Sequence, residues 1–306
     1  MITKVQALGA LNTSGDQNIY IWGQFYQEQL TAIVRYGSIQ PNNYETVCPM
    51  ANSSLIVCNP LPGAGRNLSW AVSLDGIVWS DTLKTTISYS FPTVHHVTPL
   101  ELLATGTNVT FFGRNLGPAG TNVILEILNF EAVQSFVPCH VQIAHVQAIC
   151  QVPAGQGKAA TRLIVAGSAT EWTHFQYQPP SISAISCNGD TLCRLSTSGS
   201  QSVTLIGNYF GPSEVNNSIT ARYSSIGGQV YRANECFLQH EQYSVVCQSV
   251  EGIGANHQWQ IEVAGQNSSW STVTTSYALP TISGFNAEVV DGPGMTTRGG
   301  DVVTIT

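Results

Sequence analysis

The chain has 306 residues, of which 43% are hydrophobic and only 9% charged, and its net charge is −7. Its lysines, Lys4, Lys84 and Lys158, do not cluster, whereas binding to a nucleic acid requires concentrated positive charge. No apolar run reaches the roughly 20 residues of a membrane span, and the first residues lack the apolar core of a secretory signal. We therefore expect no nucleic-acid partner, and no membrane segment in this part of what we interpret as a longer protein.

An internal repeat is visible along the whole chain. A tyrosine three residues before a proline recurs at spacings of 88 and 100 residues: Tyr89, Tyr177 and Tyr277. An apolar strand that ends in glycine recurs at spacings of 90 and 94 residues: Gly23, Gly113 and Gly207. A further copy of that strand, GGDVVTIT, reaches Thr306. Landmarks that keep one period are typical of an array of small domains.

Each copy also contains a pair of cysteines 10 or 11 residues apart: Cys48 and Cys58, Cys139 and Cys150, Cys236 and Cys247. A local pair, Cys187 and Cys193, brackets an insertion in the third copy. Metal binding is the alternative, but zinc sites favour shorter spacings that meet a second pair. The spacing favours disulfides between neighbouring strands, which persist in secreted or cell-surface proteins. We therefore expect an extracellular location.

The pattern of apolar residues predicts an all-β fold. Alternation at period two, frequent Pro- and Gly-rich turns and the lack of helical periodicity favour tandem immunoglobulin-like β-sandwiches stacked end to end. The predicted repeats are residues 1–91, 92–178 and 179–279, and residues 280–306 are the opening strands of a fourth, incomplete one. A tryptophan recurs in one turn of each repeat and is predicted to pack in the core rather than to form a sugar-stacking platform: Trp79, Trp172 and Trp270.

Several motifs resemble the IPT/TIG domain family, which consists of immunoglobulin-like domains found in plexins, related receptors, Rel-type transcription factors and many large surface proteins. The motifs are the glycine-flanked turns GRNLG and GNYFG, the cysteine pair and the turn CQVPAGQG. The first repeat departs with GQFYQ and the third with VEGIG. The resemblance implies sandwiches of the E-set type over the whole chain. It implies no particular activity, because the family serves unrelated roles, and the cysteines argue against a nuclear Rel-type protein.

Six sites match the N-x-[S/T] acceptor pattern for N-linked glycans: Asn12, Asn52, Asn67, Asn108, Asn216 and Asn267. Some matches are expected by chance in a chain this rich in Asn, Ser and Thr. Several lie at turns or strand ends, where a glycan can point to water. We expect covalent N-linked glycans and no cofactor, and glycans would also keep a surface with so little charge soluble.

No arrangement of polar residues suggests catalysis or a metal site. The acidic residues are scattered, and the junctions SFPTV, YQPPSI and YALPTI lack the carboxylates that a calcium site needs. His95 and His96 are interpreted as an exposed or interface pair, and His140 and His145 lack a nearby carboxylate. No phosphate loop, nucleophile elbow or zinc-protease helix is present. We therefore expect a protein that is not an enzyme.

The junctions point to an extended molecule. Only two residues separate each repeated tyrosine from its proline, so no flexible linker is present and a semi-rigid rod is predicted. Residues 280–306 are expected to be completed either by continuation of a longer repeat array or by strand complementation from another copy. The leading hypothesis is a structural component of an extracellular glycosylated rod, fibril, filament or surface coat that associates with itself. The alternatives are a receptor or adhesin ectodomain that binds a protein or glycan, and the accessory modules of a carbohydrate-active enzyme.

Overall fold

The protein is described by a computed structural model over residues 1–25, 30–38, 44–187, 192–212, 219–288, 295, 299 and 302–306. All of the secondary-structure elements assigned in these residues are β-strands. Strands such as Lys158–Val165 alternate between buried and half-buried side chains, as expected when one face of a sheet lies on a core. No helix long and apolar enough to cross a membrane occurs in the described residues.

The first repeat forms one continuous path of seven antiparallel strands in the order β1-β2-β5-β4-β3-β6-β7. The strands are β1 (Ile2–Ala7), β2 (Ile19–Gly23), β3 (Thr31–Gly37), β4 (Tyr44–Asn52), β5 (Leu55–Cys58), β6 (Ser69–Ser73) and β7 (Leu83–Lys84). Strand β4 pairs with β3 over its first six residues and with β5 at its end. It therefore passes from one sheet of the sandwich to the other.

The second repeat follows the same path, β8-β10-β13-β12-β11-β14-β16-β9, with β15 paired to β14. The strands are β8 (Thr93–Thr98), β9 (Glu101–Leu102), β10 (Thr107–Arg114), β11 (Val123–Leu128), β12 (Gln134–Ile143), β13 (Gln147–Val152), β14 (Lys158–Val165), β15 (Ser168–Ala169) and β16 (Thr173–Tyr177). Strand β12 corresponds to β4 and changes its partner from β11 to β13 at Cys139.

The third repeat has two separate sheets, β17-β19-β23-β22 and β18-β26-β24-β20-β21, with β25 paired to β24. The strands are β17 (Ser181–Ser186), β18 (Arg194–Leu195), β19 (Ser202–Asn208), β20 (Ile219–Ser224), β21 (Val230–Arg232), β22 (Asn234–His240), β23 (Ser244–Gln248), β24 (His257–Val263), β25 (Gln266–Asn267) and β26 (Thr274–Tyr277). The strand that is continuous in the other repeats is divided here into β21 and β22, which explains the two sheets. After the third repeat, β27 (Phe285–Glu288) pairs with β28 (Val302–Ile305).

Each repeat is an immunoglobulin-like sandwich. In the first repeat, β1, β2 and β5 lie in one sheet and β3, β6 and β7 lie in the other, and the same division recurs in the second and third. A separate cluster of buried apolar side chains fills each of the three sandwiches. The all-β, tandem immunoglobulin-like fold predicted from the sequence is confirmed, whereas the single-residue boundaries between repeats stay predictions.

Aromatic stacking distinguishes the cores. Tyr36 stacks on Trp70 with ring centroids 4.4 Å apart, and Tyr223 stacks on Trp259 at 4.3 Å. The strand pairing places Ile127 opposite Thr161 at the same positions of the second repeat. The second core is therefore built without the stacked pair, and its Thr161 is fully buried.

Candidate functional site

The eight cysteines form the four disulfides expected from the sequence: Cys48–Cys58, Cys139–Cys150, Cys187–Cys193 and Cys236–Cys247. In the second repeat the two cysteines are directly opposite each other on neighbouring strands β12 and β13. The bond joins the strand that changes sheets to a strand that does not. In the first two repeats the disulfide therefore fastens the crossing strand to its neighbour at the point where the chain passes between the sheets.

The repeated tyrosine closes a turn in every repeat. Its hydroxyl donates a hydrogen bond to the carbonyl three residues after the second cysteine: Tyr89 to Leu61 at 2.6 Å, Tyr177 to Pro153 at 2.9 Å and Tyr277 to Val250 at 2.7 Å. Burial raises the pKa of Tyr177 to about 12, so this hydroxyl stays protonated and remains a donor. The tyrosine period found in the sequence thus marks a structural bond rather than a reactive group.

The same turn explains why the motif C-x-x-P-x-G keeps its glycine. A Cβ at Gly155 would collide with the ring of Tyr177, and a Cβ at Gly252 would lie 2.5 Å from the hydroxyl of Tyr277. The third repeat lacks the proline of this motif but retains the glycine. The departure noted in its sequence, VEGIG, therefore leaves the packing of the tyrosine intact.

The first junction is made by polar side chains from both repeats. His145 lies at the tip of the turn between β12 and β13, and its Nδ1 is 3.0 Å from Oγ1 of Thr13 in the first repeat. Asn115 donates from Nδ2 to the carbonyl of Phe91, at 2.9 Å, and so holds the connecting segment. Ala64 of the first repeat packs within the core cluster of the second. The two repeats therefore meet directly.

The second junction uses the equivalent turn. Gln242 lies between β22 and β23, five residues before the second cysteine as His145 is, and donates from Nε2 to the carbonyl of Ala104 at 3.2 Å. Gln266, beside the tip of the β24–β25 hairpin, donates to the carbonyl of Tyr177 at 2.9 Å. A Cβ at Gly211 would collide with the side-chain amide of Gln156. The glycine of the GNYFG turn therefore permits the close approach of two repeats.

The third repeat exposes the surface that these junctions cover in the first two. In each repeat, one residue directly follows the glycine that packs against the repeated tyrosine. In the first two repeats this residue is Ala64 or Gln156, which are 6% and 8% exposed, whereas in the third it is Ile253, which is 74% exposed. The amide of the same glycine donates a hydrogen bond to a backbone carbonyl in each repeat, that of Thr13, Ala104 or Thr197. Of these three residues only Thr197 is exposed. Within the described residues, nothing covers this end of the third repeat.

The prediction that the repeated tryptophans pack in the cores is wrong. Trp172 and Trp270 are each 39% exposed, and the fully buried tryptophans are Trp70 and Trp259. Each turn tryptophan instead lies on the outer face of a sheet, below an arginine whose guanidinium carbon is near the ring centroid: Arg35 and Trp79 at 4.0 Å, Arg162 and Trp172 at 4.5 Å, Arg222 and Trp270 at 5.6 Å. A guanidinium over an indole ring forms a favourable cation–π contact. The sequence did not reveal this contact, because the arginine comes from a different strand in the second repeat.

Five of the six predicted glycan acceptors have solvent-exposed side chains, which a glycan requires: Asn12, Asn52, Asn67, Asn108 and Asn267. Asn216 lies outside the described residues. Asn52 is the most clearly placed at a turn, since its Oδ1 accepts hydrogen bonds from the amide and hydroxyl of Ser54. Asn108, at the start of β10, also points away from the core.

The histidines are not brought together by the fold. His95, His96 and His140 are exposed, His145 lies at the first junction, and His257 is buried in the third core. Among the described residues, no group of three or more His, Cys, Asp or Glu could hold a metal ion. Within the same residues, the groups that recur are structural bonds, junction contacts and the outer-face arginine–tryptophan pairs.

Comparisons with known proteins found only weak similarity. No protein-family model matches the chain, and no curated protein matches it in sequence. Among solved structures, a tetra-tandem repeat from the extending region of a large adhesion protein is 10% identical, with 99% of this chain and 86% of that chain covered and a TM-score of 0.35. The bacterial integrin-binding protein invasin is 12% identical over 100% and 67%, with a TM-score of 0.29. The Escherichia coli adhesin FdeC is 11% identical over 91% and 98%, with a TM-score of 0.27. Values this low do not identify a function.

Proposed function

We propose that this chain is a stalk-forming segment of an extracellular surface protein, built from IPT/TIG-type sandwiches that serve a structural rather than an enzymatic role. The observation that carries the proposal is the pair of junctions, in which His145 and Gln242 reach from equivalent turns to equivalent positions of the preceding repeat. A contact that recurs at each junction favours one repeated geometry. Stacking with a constant geometry produces an extended structure instead of a cluster of independent domains.

The disulfides and acceptor sites support an extracellular location. Four disulfides in one chain would not persist in a reducing cytosol. The five described acceptor asparagines are exposed, and glycans on them would compensate for a surface with only 9% charged residues. Expression through a secretory route, followed by peptide mass spectrometry, tests both features. We expect the four cysteine pairs intact and sugar on at least some of the acceptors, and free thiols throughout would contradict the location.

Small-angle scattering tests the extended shape. We expect the 306-residue chain to scatter as an elongated particle of nearly constant cross-section. A variant in which Gln178, Pro179 and Pro180 are all changed to Gly keeps the repeats but loosens one junction, so its scattering should indicate a broader range of shapes. A compact particle, or identical flexibility in the two proteins, would refute a semi-rigid stalk.

We propose further that β27 and β28 open a fourth sandwich, completed by continuation of the array. Their pairing resembles that of β17 and β19, and Phe285, Val302 and Ile305 are exposed without a covering sheet in the described residues. A complete fourth repeat would also cover Ile253. Hydrogen exchange should be slower in β28 of the protein isolated from its source than in the 306-residue chain. Equal exchange, together with concentration-dependent association of the 306-residue chain, would instead favour strand complementation between copies.

A second role, as an adhesin or receptor ectodomain, depends on a different observation. A stalk has no need of a polar groove lined by two arginines that form no ion pair among the described residues, and the third repeat has one on its outer face.

A further inference from the structure

Two arginines face each other on the outer surface of the third repeat. Arg222 of β20 and Arg232 of β21 are direct cross-strand partners, and both side chains are exposed beside buried Tyr223 and Tyr231. Like charges directly opposite each other in an antiparallel pair are destabilising. The arrangement is notable in a chain with only 11 Lys and Arg against 18 Asp and Glu. A bound anion would remove the repulsion.

The other two repeats neutralise the corresponding arginine. Arg35 pairs with Glu45 at 2.5 Å and Arg162 pairs with Glu126 at 2.7 Å. Arg222 instead donates from Nε to the neutral side-chain oxygen of Gln260, at 2.8 Å. Among the described residues, no carboxylate forms an ion pair with Arg222 or Arg232. The same arginine–tryptophan contact thus keeps an uncompensated charge in the third repeat only.

The two arginines line a groove of about 150 Å³. Its other lining residues are Thr220, Ala221, Ala233, Gln260, Glu262 and Asn267. Glu262 is the single carboxylate in the lining, so the two guanidiniums leave one net positive charge.

The chemistry of the lining combines charge recognition with neutral hydrogen bonding. Arginine presents a planar fork of N–H donors that matches a carboxylate or sulfate group. Glu262 and Gln260 supply oxygen acceptors suited to sugar hydroxyls, and Thr220 supplies a hydroxyl. Half-exposed Trp270 lies under Arg222 and adds an apolar ring beside the polar groups.

We propose that this groove is a binding site for an acidic saccharide, with the carboxylate or sulfate of the sugar between Arg222 and Arg232 and its hydroxyls toward Gln260 and Glu262. The site does not depend on the stalk proposal, since it lies within one repeat. Asn267, itself an acceptor candidate, lines the groove, so a glycan attached there would cover the site.

The test starts from the chain carrying Ser269→Ala, which removes the acceptor pattern at Asn267 without changing the groove. The probes are a glucuronate-containing disaccharide, its neutral glucose counterpart and inorganic sulfate, followed by the Nε–Hε NMR signals of the arginines. We expect the acidic disaccharide to shift the signals of Arg222 and Arg232, and to bind at least tenfold more tightly than the neutral one. Binding should weaken as the salt concentration rises.

Two variants locate the site. Arg232→Gln, at an exposed position, should lower the affinity for the acidic disaccharide at least tenfold without lowering the thermal midpoint, because it also removes the repulsion from Arg222. Arg35→Gln is the matched control, because Arg35 also stacks on a tryptophan but is neutralised by Glu45, and it should leave binding unchanged. Equal binding of the neutral disaccharide, or no loss with Arg232→Gln, would overturn the proposal. Sulfate binding as tightly as the acidic disaccharide would also overturn it and would indicate an adventitious ion only.

Discussion

At the scale of single residues, the core of the second repeat contains a buried threonine hydroxyl that lowers its stability. Thr161 is fully buried, and its hydroxyl finds no hydrogen-bond partner among the described residues. An unsatisfied buried hydroxyl costs about 1–3 kcal/mol, and valine has nearly the same shape. Thr161→Val should therefore raise the free energy of unfolding by about 1 kcal/mol, measured by denaturant titration. Thr110→Val, at a half-buried position, is the control, and a loss of stability in Thr161→Val alone would show that the hydroxyl is in fact bonded.

A second effect at the scale of residues is the pH dependence of the stability of the third repeat. Burial lowers the pKa of His257, although the carbonyls of Ile253 and Gly254 partly offset the shift. The groups that face its ring are Tyr223, Tyr231 and Tyr277, at centroid distances of 5.4 to 5.9 Å. Because the unfolded chain binds a proton more readily than the folded one, the third repeat should lose stability as pH falls below about 6.5, by up to about 1.4 kcal/mol per pH unit.

His257→Leu tests this effect, since Leu68 occupies the equivalent position in the first repeat and is fully buried there. Thermal unfolding between pH 7 and pH 5 should show a smaller decline for the variant than for the original chain. His240→Leu removes an exposed histidine of the same repeat and should leave the decline unchanged. Parallel curves for all three proteins would rule out His257 as the acid-sensitive group.

At the scale of elements, each crossing strand depends on its disulfide. Strand β12 leaves one sheet and joins the other at Cys139, which is bonded to Cys150 eleven residues later. Closing a loop of this length stabilises a fold by about 3 kcal/mol in the chain-entropy model. Replacing both cysteines by alanine should therefore lower the free energy of unfolding of the second repeat by about that amount.

The comparison is Cys187–Cys193, which lies at one end of the third repeat, where the chain passes from β17 in one sheet to β18 in the other. Removing it should affect the third repeat and leave the unfolding of the second unchanged. If loss of Cys139–Cys150 lowered the stability of all repeats equally, the sandwiches would unfold as one cooperative unit, and the assignment of the bond to one crossing strand would fail.

At the scale of the whole molecule, the junction contacts decide how the repeats move together. Changing Gln242 and Gln266 to Ala removes the two side-chain bonds to Ala104 and Tyr177, but the carbonyl of Ala104 still accepts the amide of Gly155. The double variant should therefore keep the thermal stability of each repeat while small-angle scattering detects greater bending. Gln239→Ala, on the exposed face of β22, is the control. Unchanged scattering of the double variant would show that the linker alone sets the geometry.

Much of the fold follows from local features of the sequence. The periods of tyrosine, glycine and cysteine predicted three sandwiches and their disulfides, because each of these residues has a short-range role. Gly155 must admit the ring of Tyr177, and the cysteines of one pair lie on neighbouring strands joined by a tight turn. Such constraints act within a few residues of the chain, so they are repeated wherever the local structure is repeated.

The features that distinguish the repeats were decided only by the tertiary structure. Trp270 was predicted to be buried, but its environment depends on Arg222, which is 48 residues away in the sequence and reaches it across the sheet. Whether Arg222 finds a carboxylate depends likewise on its partner strand, as does its position opposite Arg232. The sequence by itself determined the class of fold, the repeat and the cysteine pairs, whose residues are close along the chain. Pairings across strands and between repeats determined the groove and the junctions, because they join residues whose separation no local pattern specifies.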